Sequence, residues 1–427
     1  MRPDLALSLD RRHTRWAWVI ASTAFVVLLG AAGFRSAPGV LMTPLHEEFG
    51  WSHGTISAAV SVNLVLFGLI SPFAAALMDR YGVRRVTVFA LVLVSAGSLL
   101  TVWMTAPWQL VALWGFAIGT GAGCMSGAFI ATVTHRWFVL RRGLISGILT
   151  AANATGQLVF LPLIAWLAET HGWRWGSIAV GAGALLVIPL VVGLLRDHPH
   201  DLGLSAYGAH ADDPGPDRPA VSGAAATRAL DALRFGARSR TFWLLALGFA
   251  ICGASTNGLV GTHFVPAAHD HGMPGTLAAG LLAVIGVVDV LGTIASGWLT
   301  DRYDPRYLLM AYYLLRGLSL LVLPQLFAPG IEPPMWGFIL FCGLDWVATV
   351  PPTIALCREY FGARGPIVYG WVFASHQLGA AVVAYGAGLV RDVAGSYDLA
   401  FLFSGGLCLI AAVASFAIGP SRVRVPV

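Results

Sequence analysis

The chain has 427 residues, of which 57% are hydrophobic and only 11% are charged. Soluble proteins of this length carry about twice that charged fraction, so the composition excludes a soluble globular protein and predicts a membrane protein. The formal charge of +5 is the difference between 26 arginines and 21 acidic residues, and the chain has no lysine. The arginines are spread over several short loops. Because the arginines form no single patch, the charge gives no indication of nucleic-acid binding.

Twelve apolar stretches follow one another along the chain, and each is long enough to cross a hydrocarbon core, which takes about 20 residues. Runs of this length form helices, because only helices and closed barrels satisfy every backbone polar group in lipid. The first run is too long for a cleavable signal peptide. The predicted spans are 16–45, 54–78, 85–105, 107–133, 143–168, 173–195, 241–267, 275–299, 306–328, 334–357, 365–390 and 396–419.

The longest hydrophilic stretch lies at 196–240, with six predicted spans before it and six after it. Its polar, proline-containing composition predicts a cytoplasmic linker that ends in a short surface helix near Ala226–Phe235. We therefore predict three units, which are an N-terminal six-helix bundle at 1–195, the linker, and a C-terminal six-helix bundle at 241–427.

The two halves share an internal repeat. The sequence Asp79-Arg80-Tyr81 recurs as Asp301-Arg302-Tyr303 at an offset of 222 residues, and a further arginine follows each copy, at Arg84 and Arg306. Each copy lies between the second and third spans of its half. Together with the spans, the repeat predicts an all-α polytopic membrane protein with 12 transmembrane helices in two pseudo-symmetric six-helix bundles.

The arginines also predict the orientation of the chain. Of the 26, 22 fall in loops or termini on one side of the predicted membrane, and only Arg174 and Arg391 fall on the other. Positive charge collects in cytoplasmic loops, so both termini are expected in the cytoplasm. The two remaining arginines, Arg35 and Arg316, lie within predicted spans.

At the two repeated loops the chain resembles the major facilitator superfamily, whose motif reads roughly Gly-x-x-x-Asp-Arg-x-Gly-Arg-Arg. The matching residues are Asp79, Arg80, Gly82, Arg84 and Arg85 in the first copy and Gly297, Asp301, Arg302 and Arg306 in the second. Ala75 stands where the family has its leading glycine. The resemblance implies two bundles that alternate between inward and outward access to a central path. It also implies that the matching residues form cytoplasmic gating contacts that stabilise the outward-facing state.

Within that superfamily the chain resembles bacterial relatives of the proton-linked monocarboxylate transporters. The text Pro44-Leu45-x-x-Glu48-Phe49-Gly50-Trp51-Ser52 follows the first span, and Arg136-Trp137-Phe138-x-x-Arg141-Arg142-Gly143 precedes the fifth. One departure bears on anion binding, since Thr293 stands where animal members have an arginine four residues after the aspartate at Asp289. We expect a monomeric, multi-pass protein of the bacterial inner membrane.

Ionisable side chains at membrane depth are functional candidates, because a charge near the bilayer centre costs about 2.5–3.5 kcal/mol on insertion scales. Counting along the helices places Asp289, Arg316, Asp345 and His376 near mid-depth and Arg35 in the outer half of the first span. Arg35 is the predicted substrate anchor, because a guanidinium binds a carboxylate through two hydrogen bonds. The alternative is an arginine that reaches out to the lipid interface.

Asp289 is the predicted proton-coupling residue, because a low dielectric disfavours the charged form of a carboxyl group and lets it exchange a proton near neutral pH. The alternative for Asp289 is a fixed partner of Arg316. Arg316 and Asp345 are predicted to form a buried ion pair within the second bundle, and Asp345 is also a candidate for proton coupling. His376 is a candidate for both proton coupling and substrate binding.

Further polar side chains in the spans are candidates for substrate binding, with hydrogen bonds between helices as the alternative. They are Asn63, Gln157, Asn257 and Gln377. The chain cannot form a P-loop, which needs a lysine, and it has no catalytic or metal-ligand motif. We therefore expect no enzyme activity, no cofactor and no metal, and an ion gradient as the source of energy.

The sequence thus predicts a secondary active transporter of a small organic anion, a monocarboxylate, that works by proton coupling or exchange through alternating access. The expected partners are the anion, the proton and the lipid bilayer, with no nucleic acid. One alternative is proton-driven efflux of a larger apolar or cationic compound on the same fold. Another is a membrane sensor that binds a ligand without moving it.

Overall fold

A computed structural model of the chain describes residues 11–51, 53–209 and 224–419. Within these ranges, side chains are left undescribed at 11, 33–43, 53–55, 57–58, 153–154, 157–158, 161–162, 165, 169, 275–276, 279 and 392. Two of the predicted substrate-binding side chains, Arg35 and Gln157, therefore lie outside the described part of the structure.

Twelve long helices follow in chain order through the described residues, so the predicted all-α fold is confirmed. The first half contains α1 (Arg11–Phe49), α2 (His53–Tyr81), α3 (Val83–Leu100), α4 (Pro107–Trp137), α5 (Arg142–His171) and α6 (Trp173–Leu194). The second half contains α7 (Arg240–Asp270), α8 (Gly275–Thr300), α9 (Pro305–Val322), α10 (in two pieces, Pro333–Asp345 and Val350–Phe361), α11 (Gly365–Ala394) and α12 (Asp398–Phe416). The surface helix predicted at the end of the linker is also present, at Ala225–Ala237, and is called the linker helix below.

The helices are apolar enough to lie in a membrane. Ten stretches of the described chain have the length and hydropathy of a membrane span. One of these stretches, Pro333–Arg391, contains α10 and most of α11, and a shorter apolar stretch, Arg142–Ala152, forms the first part of α5. Twelve membrane-crossing helices therefore account for the fold, as expected from the hydropathy pattern.

Helices pack mainly within their own half of the chain. In the first half α1 packs on α5 and α6, α3 on α6, and α2 on α4; in the second half α7 packs on α11, α8 on α10, and α9 on α12. The two halves meet along two seams, where α5 lies against α8 and α2 lies against α11. A cavity between the halves is therefore bordered by α2, α5, α8 and α11.

Two helices are broken at equivalent positions, which the hydropathy pattern did not predict. α4 breaks at residues 125–126 and α10 at residues 346–349, so the breaks share the 222-residue offset of the two loop motifs. At the first break the hydroxyl of Ser126 donates to the hydroxyl of Ser71 in α2 over 2.6 Å. At the second break the backbone N–H of Val347 donates to Asp289 Oδ1 in α8 over 3.0 Å. The pseudo-symmetry thus extends from the loops into the middle of the bundles.

At the arginine-poor end, Glu48 joins the end of α1 to the start of α6. Its carboxylate accepts two hydrogen bonds from the Arg174 guanidinium, at 2.6 and 2.9 Å, and one from Trp173 Nε1 at 2.6 Å. The hydrogen bonds from Arg174 hold the pKa of Glu48 below its usual value. These contacts stabilise the charged form of Glu48 in the folded protein.

We expect the contribution of Glu48 to stability to depend on pH. It is complete above the pKa that Glu48 has in the unfolded chain, and it is lost as the pH falls through the lowered pKa of the folded protein. Because the pair is exposed to solvent, its contribution is at most about 1 kcal/mol. Thermal unfolding of the wild type and of Glu48→Gln should differ at pH 7 and converge in acid; a difference that persists in acid would contradict the assignment.

Candidate functional site

The largest cavity described in the structure lies at the centre of the molecule, between the two halves. Its volume is about 580 Å³, and residues of α2, α4, α5, α7, α8, α10 and α11 line it. Its polar lining includes four residues predicted from the sequence together with three threonines: Thr150, Thr256, Thr349, Asn257, Asp289, His376 and Gln377. A cavity enclosed by both halves is where a solute on a central path has to pass.

Asp289 is the only acidic residue among the described residues that line this cavity. Its side chain is 2% exposed, and Oδ1 accepts hydrogen bonds from the hydroxyl of Thr293, at 2.8 Å, and from the N–H of Val347, at 3.0 Å. The break in α10 frees the N–H of Val347, which an unbroken helix would use internally. A carboxyl group is thereby fixed beside the cavity by two donors from its protein surroundings.

Arg316 and Asp345 form an ion pair behind the cavity, within the second half. Arg316 Nε lies 2.6 Å from Asp345 Oδ2, and both side chains are buried. The same guanidinium donates from Nη2 to the carbonyl oxygen of Asp345 at 2.6 Å, and from Nη1 to Cys252 Sγ at 3.1 Å. Since Asp345 is the last residue before the break, Arg316 satisfies a carbonyl that the break leaves without a helical partner.

The break in α10 is therefore held from two sides. Asp289 of α8 accepts the freed N–H group, and Arg316 of α9 donates to the freed carbonyl group. Neither Arg316 nor Asp345 is among the residues that line the central cavity. These contacts favour a supporting role for Arg316 and Asp345 over contact with a transported solute.

The other polar candidates separate clearly by position. His376, Gln377 and Asn257 line the cavity. Asn63 is not among the lining residues, and its Nδ2 donates to the carbonyl oxygen of Trp114 in α4 over 2.7 Å. Asn63 therefore makes the hydrogen bond between helices that was the alternative to substrate binding.

Aromatic rings form one wall of the cavity, and they were not among the residues predicted from the sequence. Phe249 of α7 lies with its ring centroid 6.0 Å from Tyr369, 6.5 Å from Phe373 and 4.9 Å from His376. Phe67 of α2 joins the cluster 5.3 Å from Phe373. The spacing of Tyr369, Phe373 and Gln377 along α11 places them on one helix face, which is a signal that the sequence does contain.

The cavity is closed at the arginine-rich end, which carries both motif loops and the linker helix. Asp301 Oδ1 accepts the N–H of Gly143 at 2.6 Å, and Oδ2 accepts the N–H of Leu144 at 2.8 Å. The Asp301 carboxylate thus lies at the N-terminus of α5, where a negative charge is favourable. Gly143 and Gly147 let α5 approach closely, since a Cβ at either would collide with the backbone of α8.

The first motif copy makes a different contact. Asp79 accepts a hydrogen bond from Arg136 of α4 at 2.7 Å and another from Arg228 of the linker helix at 2.9 Å. The linker helix also contacts the second half, because Trp371 Nε1 of α11 donates to the carbonyl oxygen of Ala229 at 2.9 Å. Asp301 therefore joins the halves directly, whereas Asp79 joins the second half through the linker helix.

The remaining motif residues lie near these contacts. Arg302 donates to the carbonyl of Trp298, and Arg306 pairs with Asp304 at 2.5 Å, so both bond within the second half. Gly297 packs against Gly143 and Gly147 of α5, where a Cβ would collide with their backbone. The other four lie in or after the first motif loop. Arg80 stacks on the Tyr81 ring, Gly82 has a φ of 87°, the N–H of Arg84 donates to Asp197, and Arg85 is exposed. Among these contacts, those of Asp79 and Asp301 connect the two halves at the arginine-rich end.

Arg228→Ala is expected to open the arginine-rich end. The substitution removes a charge-assisted hydrogen bond, which contributes about 1.5–3 kcal/mol, so the open population should rise by roughly tenfold or more. Distances between spin labels placed on α3 and α9 at that end would record the change. Arg234→Ala is the matched control, since among the described residues Arg234 pairs only with Asp231, on an exposed face of the same helix. Equal distance distributions for Arg228→Ala and Arg234→Ala would contradict the role of the linker helix.

The sequence is similar to those of known membrane transporters. A sequence model of the Major Facilitator Superfamily matches residues 23–382. The uncharacterized MFS-type transporter YcxA of Bacillus subtilis is 27% identical over 400 residues, which cover 91% of this chain and 92% of YcxA. Monocarboxylate transporter 11 of Mus musculus is 29% identical over 403 residues, which cover 91% of this chain and 84% of the mouse protein.

Solved structures share the fold. A double-tryptophan mutant of XylE superposes with a TM-score of 0.76 at 14% identity, covering 96% of this chain and 97% of XylE. The E. coli fucose:proton symporter FucP superposes with a TM-score of 0.63 at 16% identity, covering 93% of this chain and 97% of FucP. At these identities the likeness extends to the arrangement of the helices and not to the substrate.

Proposed function

Because this chain belongs to the Major Facilitator Superfamily and is therefore a multi-pass secondary transporter rather than an enzyme, we propose that it carries a monocarboxylate, by proton coupling or exchange. The six helices before the linker and the six after it move as two bundles. Their rearrangement opens the central cavity first to one side of the membrane and then to the other.

The position of Asp289 is the observation that supports this proposal most strongly. A buried carboxyl group at the only acidic position among the described cavity residues can take up a proton from one side and release it to the other. The names of similar proteins point in the same direction, since several matches that cover 79–84% of the relatives' length are monocarboxylate transporters. His376 lies in the same cavity and is the second proton-coupling candidate.

The proposed cycle assigns each residue a part. Protonation of Asp289 neutralises the cavity, and the carboxylate of the solute then binds Arg35, with Asn257, His376 and Gln377 as further contacts. The Arg316–Asp345 pair holds the break in α10 so that Val347 keeps donating to Asp289. Gln157 remains a candidate contact on α5, whereas Asp345 is assigned to support rather than to proton coupling.

The arginine-rich end is proposed to face the cytoplasm of a bacterial cell, with both termini on that side of the inner membrane. This placement rests on the excess of arginine in alternate loops. The closed contacts at Asp301 and Asp79 then stabilise an outward-facing state, in which the cytoplasmic mouth is shut.

A second candidate is proton-driven efflux of a larger apolar or cationic compound. The cavity supports it, because its described lining contains one carboxyl group and several aromatic rings but no arginine. Aromatic faces attract cations as well as apolar groups. This candidate requires that Arg35 takes no part in binding.

Uptake into proteoliposomes tests the proposal. Labelled carboxylates of increasing size would be offered with and without an inward proton gradient, beside a labelled lipophilic cation. We expect uptake of at least one monocarboxylate, accelerated by the gradient or by unlabelled carboxylate inside. Transport of the cation alone would favour the second candidate, and saturable binding without any flux would indicate a sensor instead of a carrier.

A further inference from the structure

A second, much smaller cavity lies at the closed arginine-rich end, between the two halves. Its volume is about 40 Å³, and it is lined from the first half by the ends of α4 and α5 and from the second half by α8, α10 and α11. The charged and ionisable residues that line it are His135, Arg142, Asp301 and Arg358. It lies outside the central cavity and shares no lining residue with it.

Arg358 carries a positive charge into this cavity without a bonded counter-charge. Its guanidinium makes no hydrogen bond and no ion pair with the described residues, and the carboxylates that attract it are Asp301 and Glu359. Asp301 is already occupied, since its two oxygens accept the N–H groups of Gly143 and Leu144. A half-buried guanidinium without an acceptor is costly, because buried charges need partners.

Among the described lining residues, no other polar group supplies a free negative charge for Arg358. The hydroxyls of Thr134 and Thr300 donate to carbonyls of their own helices. Arg142 donates from Nε to the carbonyl of Phe138 and from Nη2 to the carbonyl of His135. His135 Nδ1 is buried and has no hydrogen-bond partner among the described residues. Asp301 is the only carboxylate among the described lining residues, and both of its oxygens already accept backbone N–H groups.

The cavity has the size of a small ion. A cavity needs a volume of about 10–15 Å³ to hold one water molecule. This cavity, at about 40 Å³, therefore holds one small anion or a few waters. The first residues of α11, Gly365 and Pro366, also line it, and the N-terminus of this 30-residue helix favours negative charge. We propose that this cavity binds a small monovalent anion, a halide or a one-carbon carboxylate, with Arg358 as its principal contact.

Residues of both halves form the site, so a bound anion is expected to affect the equilibrium between the closed and open states of this end. Arg358 belongs to α10 of the second half, whereas Arg142 and His135 belong to the first half. The site therefore exists only while the arginine-rich end is closed, and separation of α5 from α8 divides it. An anion that binds only the closed state stabilises that state by mass action. This inference does not depend on which solute passes through the central cavity.

Thermal unfolding of the purified protein tests the site. Chloride or formate would be titrated against gluconate, which is too large for the cavity, at constant ionic strength. We expect a saturable rise in melting temperature with chloride, with formate or with both in the wild type and in Arg364→Gln. Arg364 is the matched control, because it lies at the same end but stacks on Phe235 and does not line the cavity. In Arg358→Gln the rise should be lost.

Two results would overturn the proposal. One is a wild-type melting temperature that is the same in chloride, formate and gluconate. The other is an equal anion effect in Arg358→Gln and in the wild type. If Arg358→Gln does not yield folded protein, the anomalous signal of bromide in crystals of the wild type decides: a peak in the cavity supports the site, and bromide elsewhere only, with water in the cavity, excludes it.

Discussion

Replacing Asp289 with asparagine is expected to reduce uptake driven by a pH gradient by about 100-fold or more, the effect typical of losing a positioned proton-transfer group. The protein should remain folded, because the amide oxygen of asparagine still accepts the hydrogen bonds of Thr293 and Val347. The variant lacks only a group that can gain and lose a proton. Initial rates of labelled carboxylate uptake into proteoliposomes measure the change.

Asp270→Asn is the matched control for this experiment. Asp270 lies at the arginine-poor end of α7, where it pairs with Arg391 at 3.0 Å and does not line the central cavity. We expect Asp270→Asn to keep wild-type uptake within about twofold, since an exposed ion pair contributes little. Unchanged pH-driven uptake in Asp289→Asn would contradict the assignment of the proton to Asp289.

Removing one member of the Arg316–Asp345 pair is expected to destabilise the protein by about 3–5 kcal/mol, because the other charge is left buried without a counter-charge. Arg316→Ala should be the more severe change, since it also deprives the α10 break of a donor to the Asp345 carbonyl. Thermal unfolding and gel filtration of each variant give the size of the effect. In Arg391→Ala, which breaks the exposed pair with Asp270, the cost should be at most about 1 kcal/mol.

The double variant Arg316→Met with Asp345→Leu separates charge from packing. It leaves no unpaired ion, so it should recover much of the stability lost in either single variant. Recovery should be incomplete, because the introduced thioether side chain has no N–H group to donate to the carbonyl at the break. Single variants as stable as the wild type would show that the pair is not the support described for α10.

Hydropathy predicted most of the fold. Apolar runs of sufficient length allow only helices in a bilayer, so the number and order of the helices followed from the sequence alone. The breaks in α4 and α10 were missed, because a short interruption barely changes the mean hydropathy of a span. Pro351 and Pro352 after the second break are a usable signal, since proline is favoured at the start of a helix.

The candidate site was only partly predictable. Counting along a helix gives the depth of a residue but leaves its direction open, since each residue turns the helix by about 100°. Asp289 and His376 proved to face the central cavity, whereas Asn63 faces α4. The contact between Asp79 and Arg228 joins residues 149 apart in sequence, and no local pattern announces it.

The luminal pH of proteoliposomes shows whether protons cross the membrane together with the solute. A pH-sensitive dye trapped inside would report proton movement when a transported carboxylate is added outside without any imposed gradient. For proton-coupled carriage through the central cavity, we expect prompt acidification of the lumen with the wild type and none with Asp289→Asn. Carboxylate entry without acidification, and without counter-movement of a second anion, would contradict proton-coupled carriage and exchange alike.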